Sequence, residues 1–497
     1  LDYQALRLSG YNPVKQLLSL SPEKLESAAN DPAFLAEYDA AISAFYDDLS
    51  LRKGWIAEEY PSLLSKTIAY FSAEFALHSS LPIYAGGLGV LAGDVLKEAS
   101  DLGLPMVGIG FMYPQGYFVQ RISADGWQQE TYAQLNFEEA PLTPVVTPEG
   151  ERAIARVDIN DRTVAIGVWL VRVGRVNLYL MDTNLKENSS ADCQLSARLY
   201  TADREQRLQQ EIILGIGGVR VLRALNIAPA IWHANEGHTA FMTLERIREH
   251  MEKGAKFDEA VQKVQSTTVF TTHTPVPAGH DVFSVELIDK YFSNFWNHLN
   301  IDRQAFLKLG QQSDADNQSF NMTTLALKMS QHRNAVSKLH GKVTRRMWHG
   351  LWPDLKEEKV PIIHITNGVH MPTWLAPELY QAGQKYMGGN VLSWCDSAEH
   401  WKRILDIPDG ELWEVRQTLR RKLIHVILEH SQERWANGDV DAQQVLAMGA
   451  LLDSDTLTIG FVRRFTEYKR PALIFHDIER LKRIIKDAWR PIQFVFA

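Results

Sequence analysis

The sequence predicts an α/β fold with two βαβ-type domains, and three observations lead there. An apolar strand pattern at 67–71 is followed by a glycine cluster (Gly86, Gly87, Gly89), a helical repeat to Gly103 and a second apolar run at 104–111. Short apolar runs ending near Trp232, Thr272 and Thr366 are each followed at once by polar residues rather than by a plain turn. A strand–loop–helix–strand pattern then restarts at Thr456 and runs to Ala497.

Composition narrows the class. The 497 residues amount to roughly three domains' worth of chain. Hydrophobic content of 45% and charged content of 23% suit a globular protein with a large core. A formal net charge of −8 argues against nucleic-acid binding by bulk charge. Two cysteines, Cys193 and Cys395, without a CxxC pair favour a reducing, cytoplasmic setting over a disulfide scaffold. No apolar run reaches membrane-span length and no signal peptide opens the chain, so no membrane role is expected. The missing initiator Met and the apolar strand pattern at 491–497 make both ends read as cut.

Residues 1–66 read as a helical cap. Ser21-Pro22-Glu23 is a good helix start, a second helix follows over 31–50, and neither carries evident chemistry. Residues 67–455 read as one Rossmann-like domain. In its first βαβ unit the glycines let a ligand approach the backbone, and the free N–H groups of the helix start face an anion. Taken alone, the cluster fits a tight turn needing positive φ better, and its spacing matches neither GxGxxG nor a Walker loop. Tyr117, Phe118 and Trp127 suit sugar faces or simple core filling. Three alternating runs over 153–181, with turns at Asn160-Asp161 and Gly174, predict an antiparallel meander in or beside the main sheet. A helix over 203–225 contains Gly215, Gly217 and Gly218, each costing about 1 kcal/mol relative to Ala, which implies close packing or a break.

The polar strand ends come next. A strand at 228–232 leads into His233-Ala-Asn-Glu-Gly-His238, one at 267–272 into His273 through His280, and one at 362–366 into Asn367 through His370. His233, Glu236 and His238 lack HExxH spacing, so a metal is disfavoured. Any one of these sites reads more readily as a side chain capping its own loop. Four in register, counting the glycine loop, suggest a cleft of hydrogen-bonding groups for a polyhydroxylated ligand. Residues 281–360 read as helical with a polar break at 314–318, and 409–437 as a long connecting helix.

Residues 456–497 read as the start of a second domain, too short to complete one. A strand at 456–462 precedes the loop Arg463-Arg-Phe-Thr-Glu-Tyr-Lys-Arg470, then a helix from Pro471 to about Lys486 and a strand at 493–497. Four cations in eight residues make a local anion site or a solvated basic helix start. A cation about 4 Å from a phosphate contributes up to about 4 kcal/mol at an effective dielectric near 20. A helix start contributes roughly 0.3–1 kcal/mol. Binding energy is thus expected from the cations, and position from the glycine loop, across an interdomain cleft.

The stretches SAEFALHSSLPIYAGGLGVLAGDVLKEASDLGLP (72–105), WHANEGHTAF (232–241), VFTTHTPVPAGHD (269–281), HITNGVHMPTW (364–374) and GFVRRFTEYKRP (460–471) together resemble the α-glucan phosphorylases, in their shorter bacterial and archaeal branch. The resemblance implies a GT-B fold, two Rossmann-like domains about a cleft, with the second truncated here. It implies retaining phosphorolysis of α-1,4-glucans (glycogen, starch, maltodextrin) to glucose 1-phosphate, pyridoxal 5′-phosphate as cofactor, allosteric control and a possible homodimer. By resemblance, Gly86 and Gly87 approach substrate phosphate with Arg464 and Lys469, while Arg463 and Gly87 lie by the cofactor phosphate. His273 and Asn367 hydrogen-bond glucose, and His238 lines the donor side. His273, Arg464 and Lys469 are the expected catalytic set. The resemblance places the cofactor lysine after residue 497, so the chain taken alone is expected to be inactive. The competing readings are a glycan-binding fragment or regulatory relative without the cofactor lysine, and, less favoured, a GT-B glucan synthase.

Overall fold

The computed structural model describes residues 3–50, 54–123, 125–313, 318–389, 394, 397–436, 442–446, 449, 451–463, 465 and 467–497. Arg464, Cys395 and the polar break at 314–317 lie outside the described residues. The chain divides into two compact units, residues 1–121 with 130–368, and residues 122–129 with 369–497.

After a short helix at Tyr3–Leu8, the first unit continues with three helices, Pro13–Ser19, Pro22–Ala29 and Pro32–Ser50. Ser21 caps the second, its side chain accepting from the Lys24 N–H, with Pro in the first turn. The core of the unit is a ten-stranded sheet. Strand β1 (Ile68–Phe71) leads through the glycine loop into α1 (Gly87–Asp101) and back into β2 (Met106–Phe111). All six β2 residues are buried, as expected of a parallel strand covered on both faces. Next come β3 (Ile154–Ile159), β4 (Arg162–Val173) and β5 (Val176–Asp182). This antiparallel meander joins the main sheet, because β5 pairs in parallel with β2.

A helical stretch then crosses the sheet: α2 (Arg204–Ile212), a π turn (Ile213–Gly217) and α3 (Gly218–Ala224). Both expectations for its glycines hold. The helix is interrupted by the π turn, and the packing is close. A Cβ on Gly215 would lie 2.6 Å from the Met242 backbone nitrogen, and one on Gly218 2.5 Å from the Phe71 ring. Strand β6 (Ile231–Asn235) is followed by α4 (Met242–Glu252), α5 (Phe257–Ser266) and β7 (Thr268–Thr272). Beyond them lie β8 (His332–Ala335) and β9 (Ile363–His364). The order is β9-β8-β7-β6-β1-β2-β5-β4, with β3 on β4 and the short pair Thr143–Pro144 also on β4. From β9 to β5 every pairing is parallel, so the carboxyl ends of seven strands share one edge.

Three expectations are corrected. The strand expected at 228–232 lies at Ile231–Asn235, so His233 and Asn235 are strand residues, not loop residues. The segment 281–360 is not purely helical, since it holds β8 and the short antiparallel pair Val282–Ser284 and Ser319–Asn321. The helix expected from Pro471 to Lys486 is a 3-10 turn at Pro471–Phe475 followed by a separate helix, α7 (Ile478–Ile485).

The second unit contains α6 (Asp409–Ala436) and a parallel pair, β10 (Leu457–Phe461) with β11 (Ile492–Phe496), joined through α7. Among the described residues no helix is long and apolar enough to cross a membrane.

Candidate active site

The carboxyl edge of the sheet gathers the polar residues of β1, β6 and β7. Glu236 follows β6 at φ +75°, a conformation costing a non-glycine residue on the order of 1–3 kcal/mol. Its hydrogen bonds offset that cost. The buried carboxylate accepts from the backbone N–H groups of Gly237 (3.1 Å), His273 (2.8 Å) and Thr274 (3.1 Å), and from the Thr274 hydroxyl (3.0 Å). Burial alone would raise its pKa, but His273, His280 and the His273 N–H together hold it below the usual carboxylate range. Glu236 therefore fixes the start of the 273–280 loop from a neighbouring strand.

His273 follows β7 and is half-buried. Asn235 donates to Ser72 Oγ at 3.1 Å, so its Oδ1 is the acceptor for His273 Nε2–H at 2.7 Å. That bond assigns the tautomer and leaves Nδ1 as an acceptor for a hydroxyl donor. Burial lowers the His273 pKa, against the opposing pull of Glu236, so the ring is neutral at pH 7.

His238 is 2% exposed and its Nε2 accepts the Ala73 N–H at 3.2 Å. Burial, reinforced by the positive charge of Arg207, pushes it down to about 4. This histidine ties the β1 loop to the β6 loop as a neutral acceptor. His233, on β6, begins a row running across three strands. Its Nε2–H donates to Thr271 Oγ1 (2.8 Å), which donates to Asn334 Oδ1 (2.8 Å). Asn367 is exposed and connects to the same edge through its backbone. Its N–H donates to Val336 O, the Val336 N–H to His340 Nδ1, and His340 Nε2 to Thr274 O.

The glycine loop is held by a residue that sequence reading did not single out. Glu74 is 2% exposed, and its Oε2 accepts from Ala85 N–H (2.7 Å) and Gly86 N–H (3.0 Å), while Oε1 accepts the Tyr200 hydroxyl at 2.5 Å. The glycines divide their roles accordingly. A Cβ on Gly89 would lie 2.7 Å from Glu74 Oε2, and one on Gly93 would lie 2.0 Å from Ala76 O. Those two glycines are packing requirements. A Cβ on Gly87 would meet nothing within 4 Å, so open space lies before the first turn of α1, whose N–H groups have no partner inside the helix. Tyr200 is in turn covered by Arg207, 5.0 Å above its ring, and Arg207 is paired with Asp281 (3.0 Å) and Glu211 (2.9 Å). Burial and the nearby Asp281 raise the Glu211 carboxyl well above its usual range, with Arg207 opposing them. A continuous buried network thus runs from the glycine loop to the 273–281 loop.

The second unit holds the expected cations separately. Arg463 is exposed and its backbone N–H donates to Ala497 O at 3.1 Å. Lys469 is half-buried in a 3-10 turn (Glu467–Lys469), and Arg470 has a left-handed backbone at φ +52°. Arg464 lies outside the described residues. The structure therefore brings together Gly86, Gly87, His238 and His273 on one edge of the first unit, with Asn367 attached through its backbone. Trp127, a candidate sugar platform, is 74% exposed.

A family described as "Protein of unknown function (DUF3417)" matches residues 1–81, and one described as "Carbohydrate phosphorylase" matches residues 220–497. Maltodextrin phosphorylase of Thermococcus litoralis is 43% identical over 485 residues, 98% of this chain and 57% of that protein. Glycogen phosphorylase of Aquifex aeolicus is 40% identical over 486 residues, 98% of this chain and 69% of that protein. Glycogen phosphorylase of Mycobacterium tuberculosis is 38% identical over 508 residues, 98% of this chain and 58% of that protein. The chain thus spans between about half and two thirds of the length of these relatives. With a family match over more than half of its residues and this identity over nearly all of them, the chain belongs to the carbohydrate phosphorylase family.

Proposed function

We propose that the protein carrying this chain is an α-glucan phosphorylase, splitting α-1,4-glucans with inorganic phosphate into glucose 1-phosphate. The observation that carries the reading is the mutually hydrogen-bonded wall of Asn235, Glu236 and His273 beside a helix start with open space at Gly87. Such a wall suits a sugar, whose hydroxyls both donate and accept, and the helix start suits an anion. His273 Nδ1 accepts from a sugar hydroxyl, and the first-turn N–H groups of α1 bind phosphate. Arg464 and Lys469 supply the positive charge that holds substrate phosphate, and Asn367 adds a further sugar contact. His238 keeps the two loops in place from below the sugar.

The finer reading is a GT-B architecture with domains at 67–455 and 456–497 and a helical cap at 1–66. In the first unit the open backbone at Gly87 suits a phosphate group, and in the second unit Arg463 is an exposed cation. When bound, pyridoxal 5′-phosphate supplies a phosphate for proton exchange with substrate phosphate, and its aldehyde takes no part. A cytoplasmic homodimer is the accompanying reading. The test is to incubate the whole protein, loaded with cofactor, with maltoheptaose and phosphate. Glucose 1-phosphate is expected, and its absence from a cofactor-loaded preparation overturns the reading.

A further inference from the structure

We propose that the amino edge of the same sheet carries a second binding site, for a small phosphorylated anion. A cavity of about 390 Å³ opens there, where the C-terminal ends of α3, α4 and α5 meet Trp232 at the base of β6. That volume is within the range of small-molecule pockets and exceeds what one inorganic phosphate fills.

Its chemistry centres on Arg246. This residue is 3% exposed, and its guanidinium lies 4.6 Å over the Trp232 ring. It donates to Thr268 Oγ1 at 2.7 Å and to Thr267 Oγ1, and pairs with no carboxylate among the described residues. The two threonine hydroxyls give their own hydrogens to the carbonyls of Lys263 and Val264, so they bring no negative charge. Burial pushes Arg246 down to about 9, against the opposing pull of Glu249. Arg223, Lys253 and Lys263 line the same cavity, and Glu249 is its one acid. Glu249 is already engaged, taking two bonds of 2.8 Å from Arg223. His250 registers the convergence: burial lowers its pKa, and then Arg246, Lys263 and Lys253 lower it further.

Four cations against one carboxylate leave a local surplus of three positive charges, in a chain of net charge −8. Three helix C-termini offset part of it, at about half a negative charge each. Roughly half the surplus remains. A planar guanidinium and flanking lysines are the groups that hold phosphate oxygens. The bland account is that these cations merely neutralise helix ends, and it predicts no ligand. The proposal does not rest on the phosphorylase reading, since the cavity lies at the opposite edge from Gly87 and His273.

The test is hydrogen–deuterium exchange on the whole protein titrated with pyrophosphate, and separately with ribose 5-phosphate. Protection is expected in peptides covering residues 246–268. Its midpoint should weaken at least tenfold in the Lys253→Glu/Lys263→Glu variant and should also weaken with added salt. Tighter protection by ribose 5-phosphate assigns the site to phosphorylated sugars, and tighter protection by pyrophosphate assigns it to free diphosphate. Protection confined to residues 86–90 or 463–470, no protection at all, or a variant with an unchanged midpoint overturns the proposal.

Discussion

At the carboxyl edge of the sheet, Asn235, Glu236 and His273 answer one another's hydrogen-bonding needs. At the amino edge, Arg246 lies buried beside Lys253 and Lys263 with Glu249 as the one acid. The strands are the same, yet the two edges are in different states of completion. The first is balanced without a ligand and so is preorganised for a neutral polyol, with little reorganisation on binding. The second carries positive charge that Glu249 and the helix C-termini cancel only in part. The difference teaches that burial is tolerated at the first edge because partners are paired, and at the second because the cations reach a solvent-open cavity.

Breaking the first edge should have the largest effect. Glu236→Ala leaves three buried N–H groups without their acceptor, a cost of roughly 3–5 kcal/mol in unfolding free energy by urea titration. A loss under about 1 kcal/mol would mean that the 273–280 loop is positioned by something else.

Acid should break the same edge through its histidines. His233 and His238 are held near 4 in the folded chain, against an ordinary value of 6.5. The unfolded chain therefore binds more protons between those values. Stability falls as pH drops from about 6.5 towards 4, by about 2 kcal/mol per histidine at pH 5. Urea midpoints at pH 7 and pH 5 measure it, and equal midpoints would contradict the buried neutral assignment.

Gly89→Ala sharpens the role of Glu74. The new Cβ would sit 2.7 Å from Glu74 Oε2, so the carboxylate must shift and release Ala85 and Gly86. A cost of about 1–3 kcal/mol in stability is expected, with a raised phosphate KM in the phosphorolysis assay. Gly87→Ala, with open space around it, should leave stability within about 1 kcal/mol while weakening phosphate. Smallest of all, Lys253→Glu/Lys263→Glu should change stability by less than about 1 kcal/mol, because both side chains are exposed. Its maltoheptaose turnover should be unchanged.

Much of this was legible in the sequence. The glycine loop, β1, β2, the meander, β7 and the β10–β11 pair announce themselves through apolar runs and turn residues. Strand β8 does not, because His332-Arg-Asn-Ala335 is polar. It forms because its neighbours satisfy it: Asn334 accepts from Thr271, which accepts from His233. The same row explains why β6 extends past Trp232 into residues that look like a loop. A pattern of apolar residues cannot reveal polar side chains paired across strands. Glu74 was hidden for a related reason. It stood within a recognisable motif, yet its partner Tyr200 lies 126 positions away, a contact that only the fold creates.

The most direct test of two edges with two ligands is a crossed binding measurement on the whole protein, reading exchange protection by maltoheptaose and by pyrophosphate in His273→Ala and in Lys253→Glu/Lys263→Glu. The account predicts that His273→Ala weakens maltoheptaose at least tenfold and leaves pyrophosphate protection of residues 246–268 intact, while the lysine variant does the reverse. One variant weakening both ligands alike, or neither variant weakening either, would contradict it.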